Sequence, residues 1–169
     1  IEKRPEIVDL RSRVGDWEAD TVIGKQGHPV LVTLVERKPR FTVAIKAANK
    51  TAQAVTDAIC ENLKPHQHRV LTLTCDNGRE FAYHEEIASK LMAPGFFAHP
   101  YHSWERGLNE NTNGLIRQYI PKGKDIGTLS DEYVAGIVEK INNRPSKCLG
   151  FKTPNQLFIG HQQPIALAR

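Results

Sequence analysis

An α/β domain, with a mixed five-stranded sheet and helices on both faces, is what this sequence predicts. Three observations lead there. Trp17 to Gly24, Val30 to Arg37 and Phe41 to Ala47 are rich in β-branched and aromatic residues and are joined by short turns, the mark of an antiparallel meander. A helical stretch up to Leu63 then separates this meander from the apolar run Val70 to Cys75, and a crossover helix sets the new strand parallel to the first. The remaining pattern completes the order βββαβαβαα. A chain of 169 residues suffices for one domain with a proper core.

Each element has a local reason. Ile1 to Gly15 is charged and reads as an irregular lead-in, so we divide the chain into a lead-in (1–14), a domain (15–160) and a tail (161–169). Lys25 to Pro29 and Lys38-Pro39 supply the turns of the meander. Asn49 or Thr51 caps the first long helix, with Ala52, Val55, Ile59 and Leu63 at core-facing spacing. Asp76-Asn77-Gly78 stops the fourth strand. A helix from Tyr83 to Met92 and a short strand, Gly95 to His99, follow. Ser130 caps a helix over Asp131 to Asn142, and Thr153-Pro154 starts a terminal one.

Composition sets limits on function. Cys60, Cys75 and Cys148 are odd in number and widely spaced, which argues against a disulfide framework and fits a reducing cytoplasm. No run of about 18 apolar residues suits a membrane. No G-x-x-x-x-G-K-[ST] supports ATP-driven chemistry. The net charge of +4 is a mild lean toward polyanionic partners.

The stretch Ser103 to Tyr119 is the most informative. On a helical wheel Arg106, Glu110, Asn113 and Arg117 fall within about 60° of one another. Trp104, Leu108, Leu115 and Tyr119 form an opposing apolar stripe. Gly107, Gly114 and three asparagines make it a weak helix, since Gly costs ~1 kcal/mol against Ala in an interior position. Small polar residues there would leave room for a ligand backbone. A plain surface helix with an Arg–Glu–Arg cluster is the competing reading.

Two more carboxylates stand out. Asp76 ends a strand, where an ordinary turn also explains it. Asp20 lies in the middle of the first strand, where an ionised acid is costly unless paired, metal-bound or at a wet edge. Glu18 shares its face, so the two compete for one role. If strands one and four are neighbours, Asp20 and Asp76 approach each other and the later helix can add Glu110. Three such acids repel unless a divalent cation joins them, and a pair of Mg²⁺ ions suits phosphoryl transfer.

The local contexts GDWEADTVIG, TCDNGREF and WERGLNENTNGLIRQYIPKG, with the tail NNRPSKCLGFKTPNQLF (Asn142 to Phe158), resemble the IS-thirty family of bacterial insertion-sequence transposases. The acids Asp20, Asp76 and Glu110, the last two separated by 33 residues, match that family's DDE motif. The resemblance covers Gly15 to Phe158. It implies an RNase H-like fold, cleavage of DNA at element ends, and transfer of the freed 3′-hydroxyl to target DNA. It implies Asp20, Asp76 and Glu110 as catalytic metal ligands for two Mg²⁺ or Mn²⁺ ions. It implies DNA as partner, a homo-oligomeric working complex and a bacterial, nucleoid-associated location. Arg106 and Arg117 match basic positions flanking the family's Glu, Asn77 its DNG turn, and Asn109 and Asn111 its NEN segment. Glu18 matches an acid outside the triad, which favours Asp20. Two departures stand out: nothing before Gly15 is long enough for the helix-turn-helix that reads element ends, and His99 stands where an acid is commoner.

Other residues have plainer readings. His66 and His68 read as an exposed loop, His99 and His102 as loop residues, and Cys75 and Trp104 as core. The basic groups Arg37-Lys38-Arg40, Lys122-Lys124 and Arg144-Lys147-Lys152 read as solvated surface. Lys122 and Lys124, which follow Arg117, are the best phosphate contacts among them. The leading expectation is a transposase catalytic domain. The alternatives are a nuclease on the same fold without strand transfer, and a non-catalytic DNA-binding module.

Overall fold

The meander forms as its sequence dictates. β1 (Asp16–Ile23), β2 (Val30–Glu36) and β3 (Thr42–Ala47) pair antiparallel. α2 (Ala52–Leu63), with the Thr51 hydroxyl accepting from the Ala54 amide, crosses to β4 (Thr72–Cys75), which runs parallel to β1. α3 (His84–Leu91) leads to β5 (Gly95–Phe97), parallel to β4. α4 (Gly107–Arg117), α5 (Asp131–Asn142) and α6 (Pro154–Gly160) follow. The sheet order is β3-β2-β1-β4-β5, so β1 is central and Asp20 does not sit at a wet edge. The structure, a computed structural model, describes residues 1–99, 105 and 107–160. The expectations for Trp104, His102 and Arg106 and for the 161–169 tail fall outside those residues.

Strand alternation divides the sheet into two faces. Trp17, Ala19, Val32, Leu34, Leu73 and Cys75 point one way, into a core with α2 and α3. Val22 and Leu31 point the other way, against Ile116, Ile120, Ile137 and Ile141 of the α4–α5 side. The helices therefore cover both faces. Glu18 and Asp20, four and two residues before Val22, belong to the α4 face.

Two expectations need correction. The lead-in is not irregular: α1 (Glu6–Leu10) forms one helical turn, its Val8 is fully buried, and Arg4 reaches Thr74 Oγ1 at 3.2 Å. His66 is not an exposed loop residue. It stacks on Trp17 and meets Phe41 and Phe158 edge-on, and burial pulls its pKa down. Phe158 of α6 stacks flat on Phe41 at 4.1 Å, which folds the end of the described chain back onto the meander.

The entry to β1 is fixed by one acid. Glu36 is fully buried, and its carboxylate accepts from the amides of Gly15 at 2.7 Å, Asp16 at 3.2 Å and Lys38 at 2.7 Å. Burial pushes its carboxyl up to about 7 against the pull of these amides. Glu36→Ala strands all three donors and is expected to lower stability by about 2–4 kcal/mol, read as an earlier urea midpoint. A midpoint within experimental error of the parent would show that water satisfies these amides as well.

Candidate active site

The ladder between β1 and β4 runs in register from Asp16 with Thr72 to Glu18 with Thr74. Continued by two residues past Glu18 and Thr74, that register sets Asp20 opposite Asp76 on the α4 face. Asp20 is oriented from two sides: its Oδ1 accepts from the Thr21 amide at 2.8 Å and its Oδ2 from Asn113 Nδ2 at 3.0 Å. Thr33 Oγ1 donates to Asn113 Oδ1 at 3.0 Å, which fixes which way that amide faces.

Asp76 Oδ1 accepts from the Gly78 amide at 2.8 Å, closing the DNG turn. A larger residue at 78 would push the Asp76 or Glu80 carboxylate aside. A Cβ there would lie 2.7 Å from Asp76 Oδ1 and 2.5 Å from Glu80 Oε2. The Asp76 and Glu80 carboxylates are thus held within ~5 Å of each other beside the DNG turn. Glu80 is buried, accepts from Thr21 Oγ1 at 3.1 Å and pairs with Lys50 Nζ at 2.9 Å. Sequence reasoning passed over Glu80 and Lys50. The available signal was an acid wedged between the DNG turn and Phe81, which is fully buried.

α4 lies along β1 through a polar stripe. The Asn109 amide donates to Glu18 Oε2 at 3.1 Å, Asn113 holds Asp20, and Arg117 Nη2 donates to the Ile23 carbonyl at 2.6 Å. Glu110 is exposed, one turn before Asn113 and therefore ~5–6 Å from it between Cβ atoms. Among the described residues, no three His, Cys, Asp or Glu side chains are gathered closely enough to hold a metal.

Several expected contacts take different roles. The buried side of α4 is Leu108, Asn109, Thr112 and Ile116, so the apolar stripe through Leu115 and Tyr119 is displaced, and Tyr119 lies on the surface. Asn109 is fully buried, and neither polar atom of its side chain has a hydrogen-bond partner among the described residues, so it does not face DNA. Arg117 serves the end of β1, and burial lowers its pKa. Asn77 Nδ2 donates to the Ala98 carbonyl at 2.7 Å, tying the DNG turn to the strand beside it. Asn111, Lys122 and Lys124 are exposed, as a phosphate contact requires.

Glu18 and Arg37 are structural. Arg37, expected on the surface, is 3% exposed and meets Glu18 Oε1 at 2.6 Å. The same nitrogen donates to the Glu105 carbonyl at 3.1 Å. The pair therefore links β1, β2 and the approach to α4. His99 is another tie: its Nδ1 meets Glu105 Oε1 at 2.9 Å and its Nε2 meets Glu2 Oε1 at 2.6 Å, and these carboxylates raise its pKa.

Two outcomes separate fold from site. Glu18→Ala leaves the Arg37 charge buried and is expected to cost about 3–5 kcal/mol, whereas Asp20→Asn turns one acceptor into an NH2 facing a donor at a half-buried site and should cost about 1–2 kcal/mol in thermal melts. The opposite ranking would exchange the roles given to the two acids. Asn109→Leu removes two unmatched polar atoms and is expected to stabilise by about 1 kcal/mol. A lower melting temperature would mean that the amide has a partner in solution.

No protein-family model matches the chain. The chain is 48% identical over 170 residues to the transposase for insertion sequence element IS4351 of Bacteroides fragilis, covering 99% of this chain and 52% of that protein. It is 41% identical to the probable transposase for insertion-like sequence element IS1161 of Streptococcus salivarius, over 94% of this chain and 45% of that protein. It is 38% identical to transposase InsI for insertion sequence element IS30A of Escherichia coli K12, over 94% of this chain and 41% of that protein. The chain spans about half the length of the curated relatives it matches. Among solved structures, the catalytic core domain of BIV integrase superposes with a TM-score of 0.64 at 18% identity, over 88% of this chain and 95% of that one. The HTLV-2 integrase catalytic core domain in complex with magnesium gives 0.63 at 18% identity, over 84% and 94%. The homologues of this chain are insertion-sequence transposases of the IS30 family, and its fold is the RNase H-like fold of integrase catalytic cores.

Proposed function

We propose that this chain is the catalytic domain of a DNA transposase that cuts a strand at an element end and joins the freed 3′-hydroxyl to target DNA. One observation carries the reading. Asp20 lies within β1 and Asp76 just past the end of β4, its parallel neighbour, on the sheet face covered by α4, the helix that carries Glu110.

The donor set fits Mg²⁺ or Mn²⁺. It is all carboxylate, with hard oxygens and no thiolate or imidazole among the three. Asp20, Asp76 and Glu110 would hold the ions, which when bound supply charge stabilisation for in-line phosphoryl transfer. The chain's own groups prepare these acids. Asn113 and the Thr21 amide aim Asp20, and the Gly78 amide aims Asp76. Lys50 offsets the charge of Glu80, which would otherwise add to the repulsion around Asp76. Glu110, exposed on the same helix that holds Asp20 through Asn113, would complete the set. DNA ends and target DNA are the proposed partners, and a homo-oligomer at the bacterial nucleoid is the proposed working form.

Mn²⁺ titration followed by melting tests the metal site. At a hundred times its dissociation constant the ion should stabilise the parent by about 2.7 kcal/mol, and Asp76→Asn should abolish the response. An unresponsive parent, or a variant that responds equally, refutes it. Incubation with pre-cut element ends tests the reaction: joined product is expected, and cleavage without joining points to a nuclease instead.

A further inference from the structure

A second feature lies on the side of α4 that faces α5. A groove of about 290 Å³ runs between α4, the turn after β2 and the segment following α5. Leu115 and Ile141 contribute to its floor, and Arg40, Asn111, Arg144 and Lys147 line it. No Asp or Glu among the described residues lines it. None of the three cations is paired with a carboxylate among the described residues, whereas Lys46, Lys50 and Lys90 elsewhere on the surface are paired.

These cations converge from three separate places. Arg40 is in the β2–β3 turn, Arg144 just beyond the C-terminus of α5, and Lys147 in the following loop. The helix dipole of α5 explains a cation at 144, but it accounts for neither Arg40 nor Lys147. The loop that carries Lys147 is braced. Its Ser146 amide donates to the Lys152 carbonyl at 3.1 Å, and the Phe151 amide to the Ser146 carbonyl at 2.9 Å. Asn155 Nδ2 donates to Asn143 Oδ1 at 2.8 Å, fastening α6 to the end of α5. The backbone that carries Lys147 is therefore set before any ligand arrives.

We propose that this groove is a DNA-strand channel in which Arg40, Arg144 and Lys147 grip backbone phosphates beside the one being cut. The proposal rests on the transposase reading and extends it to a face that the triad does not use. Continuity selects DNA over other polyanions. Asn111 lines the groove and directly follows Glu110 on α4. Gly114, one turn further, is exposed, with nothing within 4 Å of where a Cβ would stand, so the ridge between carboxylate and groove is low. A cationic rim over an apolar floor suits phosphates on the rim and sugar edges below. Lys122 and Lys124 do not line this groove.

The test is fluorescence anisotropy of a short duplex of arbitrary sequence, in EDTA, across a salt series. Arg144→Gln/Lys147→Gln is expected to weaken binding at low salt and to flatten the log K against log salt slope by about 2, close to 0.9 for each phosphate that is no longer neutralised. Lys147→Gln alone, at an exposed position, should flatten it by about 1 and serves if the double variant folds poorly. Lys64→Gln, at the end of α2 on the other face, should change nothing. A parental slope in both groove variants overturns the channel. So does a change in sedimentation of the DNA-free protein with unchanged DNA affinity, which would make the groove a contact between copies. Stabilisation by inorganic phosphate without any effect on duplex binding likewise overturns it, as a free-anion site. Because binding is read without metal, failure here leaves the Mn²⁺ response standing, and loss of that response leaves the salt slope standing.

Discussion

The structure depends on how a central strand tolerates three acids in a row on one face. Asp16, Glu18 and Asp20 alternate along β1, which has a neighbour on each side and α4 above. Asp16 and Glu18 are fully buried, where an ionised carboxylate without compensation is prohibitive. Each acid is met differently. Arg13 takes both oxygens of Asp16, at 2.9 and 3.0 Å, with Thr72 at 2.8 Å. Glu18 takes Arg37 and the Asn109 amide. Asp20 takes neutral amide donors, from Thr21 and Asn113. The inner two acids are thus committed to guanidinium groups, while the outermost accepts from the Thr21 amide and from Asn113, which aim it.

That arrangement sets the seating of α4. Its C-terminal half is anchored by Ile116, fully buried, with Ile120 just beyond in the same cluster. Its N-terminal half buries Leu108 and makes polar contacts to β1, and contains Asn109, buried with two polar atoms unmatched among the described residues. An unmatched buried polar group costs about 1–3 kcal/mol, so this half is the less firmly held. Glu110 stands in it. The Arg37 contact to the Glu105 carbonyl, and beyond it the Asp9 carboxylate 3.4 Å from the same guanidinium, extend the ties to the lead-in segment. The one-turn helix α1 is therefore part of what steadies the approach to Glu110.

The strands and their order were legible because β-branched runs and short turns are local signals, and the crossover rule orients β4. Asp20 and Asp76 were legible for the same reason, since one is an acid inside a strand and the other ends one. What failed depended on distant partners. Arg37 looked like surface because its partner Glu18 lies on another strand. His66 looked like loop because Phe158, which covers it, arrives from α6. Glu80 drew no reading because Thr21 and Lys50 lie outside its local window. The buried side of α4 was misplaced because a wheel that counts only apolar residues cannot foresee Asn109 and Thr112 turned inward toward an acid-bearing strand.

The same point explains why α4 is poorly made as a helix. Its asparagines serve two different purposes. Asn109 and Asn113 point toward β1, where the backbone of one and the side chain of the other meet carboxylates. A leucine at 113 would pack, yet it would leave Asp20 Oδ2 without that donor. Asn111 lines the basic groove and Gly114 is exposed on the same side of Glu110, where a larger apolar residue would raise the ridge beside it. The low helix propensity is thus the sum of two local demands, one from the acid below and one from the open surface above. The isoleucines near its end, rather than its intrinsic preference, keep the helix in place.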